Sequence, residues 1–218
     1  MGGLSFLDYL NAYRSDLIFD SQQHALLSLY VVAIAAIVGL ALAILTYRTS
    51  AAASFVIGIS SVAFTLPSIA LFGLMVPFFG LGLATIFPVL ILYALLPILR
   101  NAVVGLQSVD PNMLDAARGM GMGRSRILIL VELPLAWPVV LTGIRVAAQL
   151  TIGLVAISAY VTGPGLGGYL LSALANLGSA NTFNQALAGT LLIVILALLI
   201  DLMFVLIRRF TTPRGLRV

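Results

Sequence analysis

Apolar positions run through this chain in stretches too long for a soluble fold, and short polar segments punctuate them. No charge occurs between His24 and Arg48, which predicts a first membrane-crossing helix over residues 25–47; about 20 apolar residues cross a bilayer as a helix. The next uncharged run, residues 49–99, is 51 long, too much for one crossing. The turn signal Pro77-Phe-Phe-Gly-Leu-Gly82 divides it into spans at 54–76 and 83–99. A polar, Arg-containing stretch at 100–126 precedes a fourth span at 137–161. A Gly/Ser/Asn-rich segment at 162–184 leads to a fifth at 185–207. The pattern predicts an all-α polytopic membrane protein with about five transmembrane helices. Residues 1–24 lack the basic and apolar regions of a signal peptide. Their Phe6, Leu7, Leu10, Tyr13 and Leu17 fall at helical spacing and predict an interfacial helix.

Composition agrees and then excludes. Of 218 residues, 61% are hydrophobic and 8% charged, with a mean hydropathy of +1.17. A soluble domain carries about 25% charge, so the apolar excess faces lipid. There is no Cys, and all eleven cations are Arg. A chain without Lys lacks the residue by which a P-loop reaches nucleotide phosphates, and Schiff-base chemistry is excluded with it. The single His24 cannot build a His-x-x-x-His zinc site. No catalytic residue, metal or cofactor is expected in this chain. The net charge of +4 forms no basic stripe on a soluble face, so nucleic acid is not an expected partner.

Charge instead reads as topology. Arg48, then Arg100, Arg118, Arg124 and Arg126, then Arg208, Arg209, Arg214 and Arg217 fall on one side of a five-span arrangement. By the positive-inside rule that side is cytoplasmic, with the N-terminus outside and the C-terminus inside. The domain reading is an extracytoplasmic or interfacial segment (1–24), a transmembrane domain (25–207) and a basic cytoplasmic tail (208–218).

The loop between spans three and four, residues 108–134, carries the most information. Asp110 suits a helix N-cap, with Pro111 at the first helical position. A short helix over 111–120 then carries Met113, Leu114 and Ala117 on one face, and Gly119, Gly121 and Gly123 end it. Such a helix suits docking into a groove of another protein; read from the residues alone, an ordinary interfacial helix fits as well.

The spacing Asp115-Ala116-Ala117, three residues, Gly121, nine residues, Val131-x-Leu133-Pro134 resembles the EAA loop of ABC-importer permeases (Glu-Ala-Ala-x3-Gly-x9-Ile-x-Leu-Pro). It departs from that pattern at Asp115 and Val131. Further stretches are similar to the glycine betaine/choline/carnitine (osmoprotectant) branch: Thr65-Leu-Pro-Ser-Ile-Ala-Leu, Ala94-Leu-Leu-Pro-Ile-Leu-Arg-Asn, Gly143-Ile-Arg and Gly163-Pro-Gly-Leu-Gly. The last stands where that branch has Gly-Ala-Gly-Gly-Leu-Gly. The resemblance covers about residues 25–207. It implies the permease subunit of a type I ABC importer, with Asp115, Ala116, Ala117, Gly119, Gly121, Leu133 and Pro134 as the ATPase-coupling loop. It further implies two copies of a separate ABC ATPase, which holds the ATP and Mg. A second permease subunit, identical or paralogous, and an external substrate-binding protein complete the set, in a bacterial or archaeal cytoplasmic (inner) membrane. At 218 residues, a fused binding domain has no room.

Other features carry less. Gly163-x-Gly-x-x-Gly168 matches a dinucleotide fingerprint on paper, but that motif needs a preceding strand. Pro67, Pro88 and Pro97 fall inside predicted spans and can kink them. Arg145 and Asp201 are intramembrane charges at similar depth on consecutive antiparallel spans. Such charges face the interior and find partners, so an Arg145–Asp201 ion pair is expected; Arg145 snorkelling to the interface or pairing with Glu132 is the alternative. Trp137 reads as an interfacial anchor, Tyr93 and Tyr160 are no more than candidates for the pathway, and no substrate site is assigned. An ABC permease for another solute such as an amino acid stays open. A secondary transporter would show an inverted repeat and mid-membrane acids; no repeat is visible, and Asp201 is the sole acid within a span. A structural scaffold has no need of the loop spacing.

Overall fold

The computed structural model describes residues 4–211. Among them four helices are long and apolar enough to cross a membrane singly, and one bent helix pair passes the same test as a unit. Helix α1 (Phe6–Ala12) is capped by Ser5, whose side chain accepts from the Asp8 amide, and Tyr13 separates it from α2 (Arg14–Thr46). The first span therefore begins well before residue 25, and only α1 remains as a separate N-terminal helix. No Gly or Pro occurs between Arg14 and Gly39, so nothing interrupts the helix where its polar turns leave the hydrocarbon. Tyr9 and Leu17 pack on Ala188, which holds this end of the chain against the last span.

The second crossing is not the continuous helix expected at 54–76. It is α3 (Ser50–Thr65) and α4 (Ser68–Phe79), bent by 96° at their junction. The cause is local. A residue before proline is driven out of the helical region, and Leu66 sits extended at φ −67°, ψ 139°, while Pro67 offers no N–H. The carbonyl freed at Leu66 accepts from the buried Tyr93 hydroxyl, so Tyr93 belongs to the core. The turn after α4 narrows to Gly80–Gly82, because Pro77 is accommodated inside the helix. Gly80 and Gly82 take φ of 76° and 93°, a region open to glycine without strain.

Helix α5 (Leu83–Gln107) runs on past residue 99 through Pro88 and Pro97. After the short α6 (Pro111–Gly119), one continuous helical run covers residues 124–161: α7 (Arg124–Ile127), a π turn (Leu128–Glu132), α8 (Leu133–Ile157) and a 3₁₀ turn (Ser158–Val161). The fourth span thus starts at Arg124 rather than near Trp137. The polar stretch between spans three and four shrinks to 108–123, since arginines at a membrane boundary extend into water without breaking a helix. Helices α9 (Gly167–Ala175) and α10 (Thr182–Thr211) complete the chain. Residues 212–218, most of the basic tail, and residues 1–3 lie outside the described residues.

Helices α5 and α8 form the centre, with α2 on one side and α10 on the other. Their closeness depends on Gly143: a Cβ there would lie 2.6 Å from Asn101 Cβ and 2.7 Å from the Pro97 carbonyl oxygen. Small residues of this kind let membrane helices approach where lipid supplies no hydrophobic drive. At the end opposite α6, buried His24 joins three elements. Its Nε2 donates to Ile152 O at 3.0 Å and its Nδ1 accepts from the Leu166 amide at 3.3 Å. The Gly163–Gly168 fingerprint is this break between α8 and α9, with no strand before it.

Gly143→Val is expected to lower the thermal midpoint of the purified protein through overpacking that costs about 1–3 kcal/mol. Gly153→Val, at a position with nothing within 4 Å of a Cβ, is expected to leave it within error; equal midpoints for the two variants contradict the packing role of Gly143.

Candidate functional site

Helix α6 stands between the two central spans at the arginine-rich end. Asp110 caps it by accepting from the Asn112 amide at 2.8 Å, and Pro111 opens it. It ends in a Schellman arrangement: the Met122 amide donates to Ala117 O at 3.1 Å and the Gly121 amide to Arg118 O at 2.9 Å. Gly121 occupies the left-handed position at φ +80°, which explains a glycine at this point of the loop. Gly119 is the last helical residue and has open space around it.

The helix sits on Ala117 and Leu114. Met113 does not join them, as the face expected from the sequence required; it is 52% exposed and Met120 71%. With Ala116 these two form an outward apolar strip at i, i+3, i+7 spacing. Asp115 pairs with Arg118 at 2.7 Å on the exposed surface, where such a pair contributes little.

The two ends of the loop are anchored to the bundle. Glu132, buried at 4% exposure, accepts from the Tyr47 hydroxyl at 2.7 Å and from Arg48 Nη2 at 3.2 Å. Arg48 Nε also donates to the Tyr47 oxygen at 2.6 Å. Gln107 Nε2 donates to the Tyr47 carbonyl at 2.7 Å, so the end of α2 is bonded both to the last turn of α5 and to the π turn. Burial, then the Glu132 carboxylate, pushes the Tyr47 phenol up to about 12; it remains a donor at any physiological pH. Beneath α6 lies a cavity of about 650 Å³ lined by Arg48, Leu114, Arg118, Arg124 and Glu132.

Leu133 is part-buried against the Ala43–Tyr47–Leu99 cluster, and Pro134 is exposed at the start of α8. Pro134 lacks the N–H that would bond Leu130 O in an α-helix, and its ring crowds that carbonyl. The wider π turn ends at Glu132, two residues before it.

Deeper in the bundle, Arg145 is held by Asp201, not by Glu132. Arg145 Nε and Nη2 donate to the two Asp201 oxygens at 2.6 and 2.7 Å, and Gln149 Nε2 donates to Oδ1 at 2.6 Å. This two-point geometry ties α8 to α10. Nearer the arginine-rich end Trp137 Nε1 donates to Thr211 Oγ1 at 2.8 Å. Tyr160 is exposed, and Tyr93 is buried. Among the described residues no group of three or more His, Asp or Glu side chains is placed to hold a metal ion.

Sequence reading missed the Glu132–Tyr47–Arg48–Gln107 node. The available signal was that Glu132 is the only glutamate in the chain and lies beside apolar neighbours. Glu132→Gln is expected to cost about 1–3 kcal/mol, since it removes the charge that two buried-side donors address, and to lower the thermal midpoint accordingly. Arg118→Gln, which breaks only the exposed pair, is expected to leave the midpoint unchanged; the reverse order contradicts the anchoring role.

Comparison with known proteins places this geometry. The profile of the family "Binding-protein-dependent transport system inner membrane component" matches residues 35–213. The osmoprotectant import permease protein OsmW of Salmonella typhimurium is 38% identical over 200 residues, covering 89% of this chain and 91% of that protein. The choline transport system permease protein OpuBB of Bacillus subtilis is 32% identical over 211 residues, with 97% and 95% covered. Among solved structures, the MetNI methionine ABC transporter in an inward-facing conformation matches at a TM-score of 0.78 and 23% identity, over 90% of this chain and 96% of that one, a likeness of fold. The chain belongs to the family of binding-protein-dependent transport system inner membrane components: it is a multi-pass inner-membrane permease subunit of an ABC importer, whose ATP hydrolysis occurs in a separate ATPase.

Proposed function

We propose that this permease imports quaternary-ammonium osmoprotectants of the glycine betaine, choline and carnitine class, and that α6 is the element its ATPase drives. The support for the substrate class is the function of its relatives, which include an osmoprotectant permease and a choline permease at 38% and 32% identity. The observation that carries the coupling role is the exposed α6 itself. It presents Met113, Ala116 and Met120 outward, while Glu132 and Gln107 bond the two flanks of its loop to α2.

In this reading the arginine-rich end is cytoplasmic, the N-terminus outside and the C-terminus inside. Asp115, Ala116, Gly119 and Gly121 form the surface that enters the ATPase cleft, while the buried Ala117 seats the helix on the bundle; Leu133 and Pro134 pass its displacement into α8. Two permease subunits enclose the path, and a separate binding protein delivers solute to the outer face. Closure of the ATPases on ATP draws the two α6 helices together. Because α7, the π turn and α8 form one run, the central spans turn with them and expose the path outward; hydrolysis resets it. The chain transmits motion and makes or breaks no covalent bond.

The test is uptake of radiolabelled choline and glycine betaine into proteoliposomes holding the complete complex and its binding protein. ATP-dependent uptake of either is the expected result. Gly121→Asp should insert normally yet abolish both uptake and the ATP hydrolysis that loaded binding protein stimulates; normal uptake by that variant contradicts the coupling role. As the chain has no cysteine, Met120→Cys supplies a unique label site. It is expected to react with an impermeant maleimide from the ATPase side only, and labelling from the opposite side contradicts the orientation.

A further inference from the structure

At the end of the molecule opposite α6, the first and last spans draw apart. Between them α1, α2 and α10 enclose a groove of about 400 Å³, lined by Leu10, Leu17, Ile18, Ala25, Leu192 and Leu196. Its floor belongs to the folded core: Leu17 is buried, and Leu10 and Leu192 pack on the cluster that Leu17 forms with Tyr9 and Ala188. Its side is open, with Ile18 48% exposed. The one hydroxyl in the lining is satisfied within its own helix, since Ser21 Oγ donates to Leu17 O at 2.6 Å. Such a groove gives a hydrocarbon chain a track and gives water no partner.

Two further observations point to the occupant. The first is length. Arg14 and Ala25, the outermost and innermost α2 residues of the lining, are eleven positions apart, about 16 Å along the helix axis. One leaflet of bilayer hydrocarbon is about 15 Å deep. The second is charge. Arg14 is exposed and makes no ion pair or hydrogen bond among the described residues. Asp16 and Asp20 do not neutralise it from within the groove, because at about 100° per residue they fall on another side of α2, where they face Tyr169. The groove therefore carries a single positive charge at headgroup level, no acid, and an apolar trough of one leaflet's depth beneath it.

We propose that this groove binds an anionic phospholipid of the phosphatidylglycerol type, with one acyl chain in the trough and the phosphate on Arg14. Hydrogen bonds from a guanidinium to a phosphate are charge-assisted and strong. A zwitterionic headgroup fits less well, because its ammonium meets no carboxylate on this face. The bound chain fills the space between α2 and α10 and joins the first span to the last, so the lipid is part of the fold at this end rather than solvent around it. In the orientation proposed above this is the outer leaflet. The site depends neither on that assignment nor on which solute is carried.

The experiment places the complete complex in nanodiscs containing a trace of phosphatidylglycerol, or of phosphatidylcholine, with a photoactivatable diazirine near the end of one acyl chain. After irradiation the adducts are mapped by peptide mass spectrometry. Adducts within residues 18–25 and 192–196 are expected from the phosphatidylglycerol probe, at least tenfold above those from phosphatidylcholine, and excess unlabelled phosphatidylglycerol is expected to remove them. Arg14→Gln is expected to abolish the preference with an unchanged thermal midpoint, and Arg14→Lys to retain it. Ala25→Phe, which fills the deep end of the trough and leaves Arg14 in place, is expected to lower these adducts at least tenfold. Arg126→Gln, an exposed arginine at the far end, is expected to change nothing. Equal adducts from the two probes, a preference that survives Arg14→Gln, or adducts spread evenly over the exposed faces of α2 and α10 overturns the site.

Discussion

Every backbone donor and acceptor within a bilayer must be closed inside the protein, because lipid offers no partner. The whole arrangement of this chain follows from that constraint. Where a helix is broken at depth, a side chain from a neighbouring element takes up the freed group. The bend between α3 and α4 leaves Leu66 O, and Tyr93 of α5 reaches it. The turn before α5 leaves Gly80 O, and Thr85 donates to it at 2.6 Å, while the Gly82 amide crosses to Val161 O at 2.9 Å. The break between α8 and α9 leaves the Leu166 amide, which His24 of α2 accepts. Each irregularity is thus also a tie between helices. The breaks fix the packing rather than loosen it.

That economy divides the molecule into a stiff centre and specialised ends. Gly143 lets α5 and α8 approach until backbone and side chain touch, so the two move as one body. At the arginine-rich end the loop helix is exposed, yet its flanks are bonded to α2 through Glu132, Tyr47 and Gln107. A force applied to α6 therefore reaches three spans at once instead of being absorbed by a slack loop. Farther in, the Arg145–Asp201 pair holds α10 to α8 by two parallel hydrogen bonds. By contrast the outward face of α10 is apolar, with Leu198, Leu199 and Leu202 exposed, and it suits lipid or a second subunit.

The crossings were legible because each coincides with a long apolar run, broken by charge only at Arg145 and Asp201, and α6 was legible because Asp110-Pro111 and three glycines bracket it. What could not be read were the ends. Helix α2, helix α5 and the α7–α8 run extend beyond the expected spans by up to 13 residues, since residues such as Arg14, Gln107 and Arg124 are good helix formers in water. Pro67 announced a weak point but not a bend of 96°, nor that the freed Leu66 carbonyl would be taken up by a tyrosine 27 residues further on in α5. The anchoring of Glu132 was hidden for the same reason: its partners lie about 85 positions earlier. Spacing reports what a helix does to itself, and long-range side-chain bonds leave no periodic trace. The outward turn of Met113 is a smaller instance, decided by which of three neighbouring apolar residues the bundle beneath can receive.

The π turn at Leu128–Glu132 has a consequence for how this region can vary. A π turn is an α-helix with one residue too many, and each residue of an α-helix advances the phase by about 100°. The wider turn absorbs the surplus residue, and within it Glu132 points inward to Tyr47 while the exposed Ile129 and Leu130 point away. Removing one residue here would let the run close as a regular helix, with α7 and α8 near their present register. Removing one from the regular turns of α8 would instead swing everything beyond it by about 100°. The stretch therefore stores one residue of slack between the handle and the shaft, and the regular turns beside it store none.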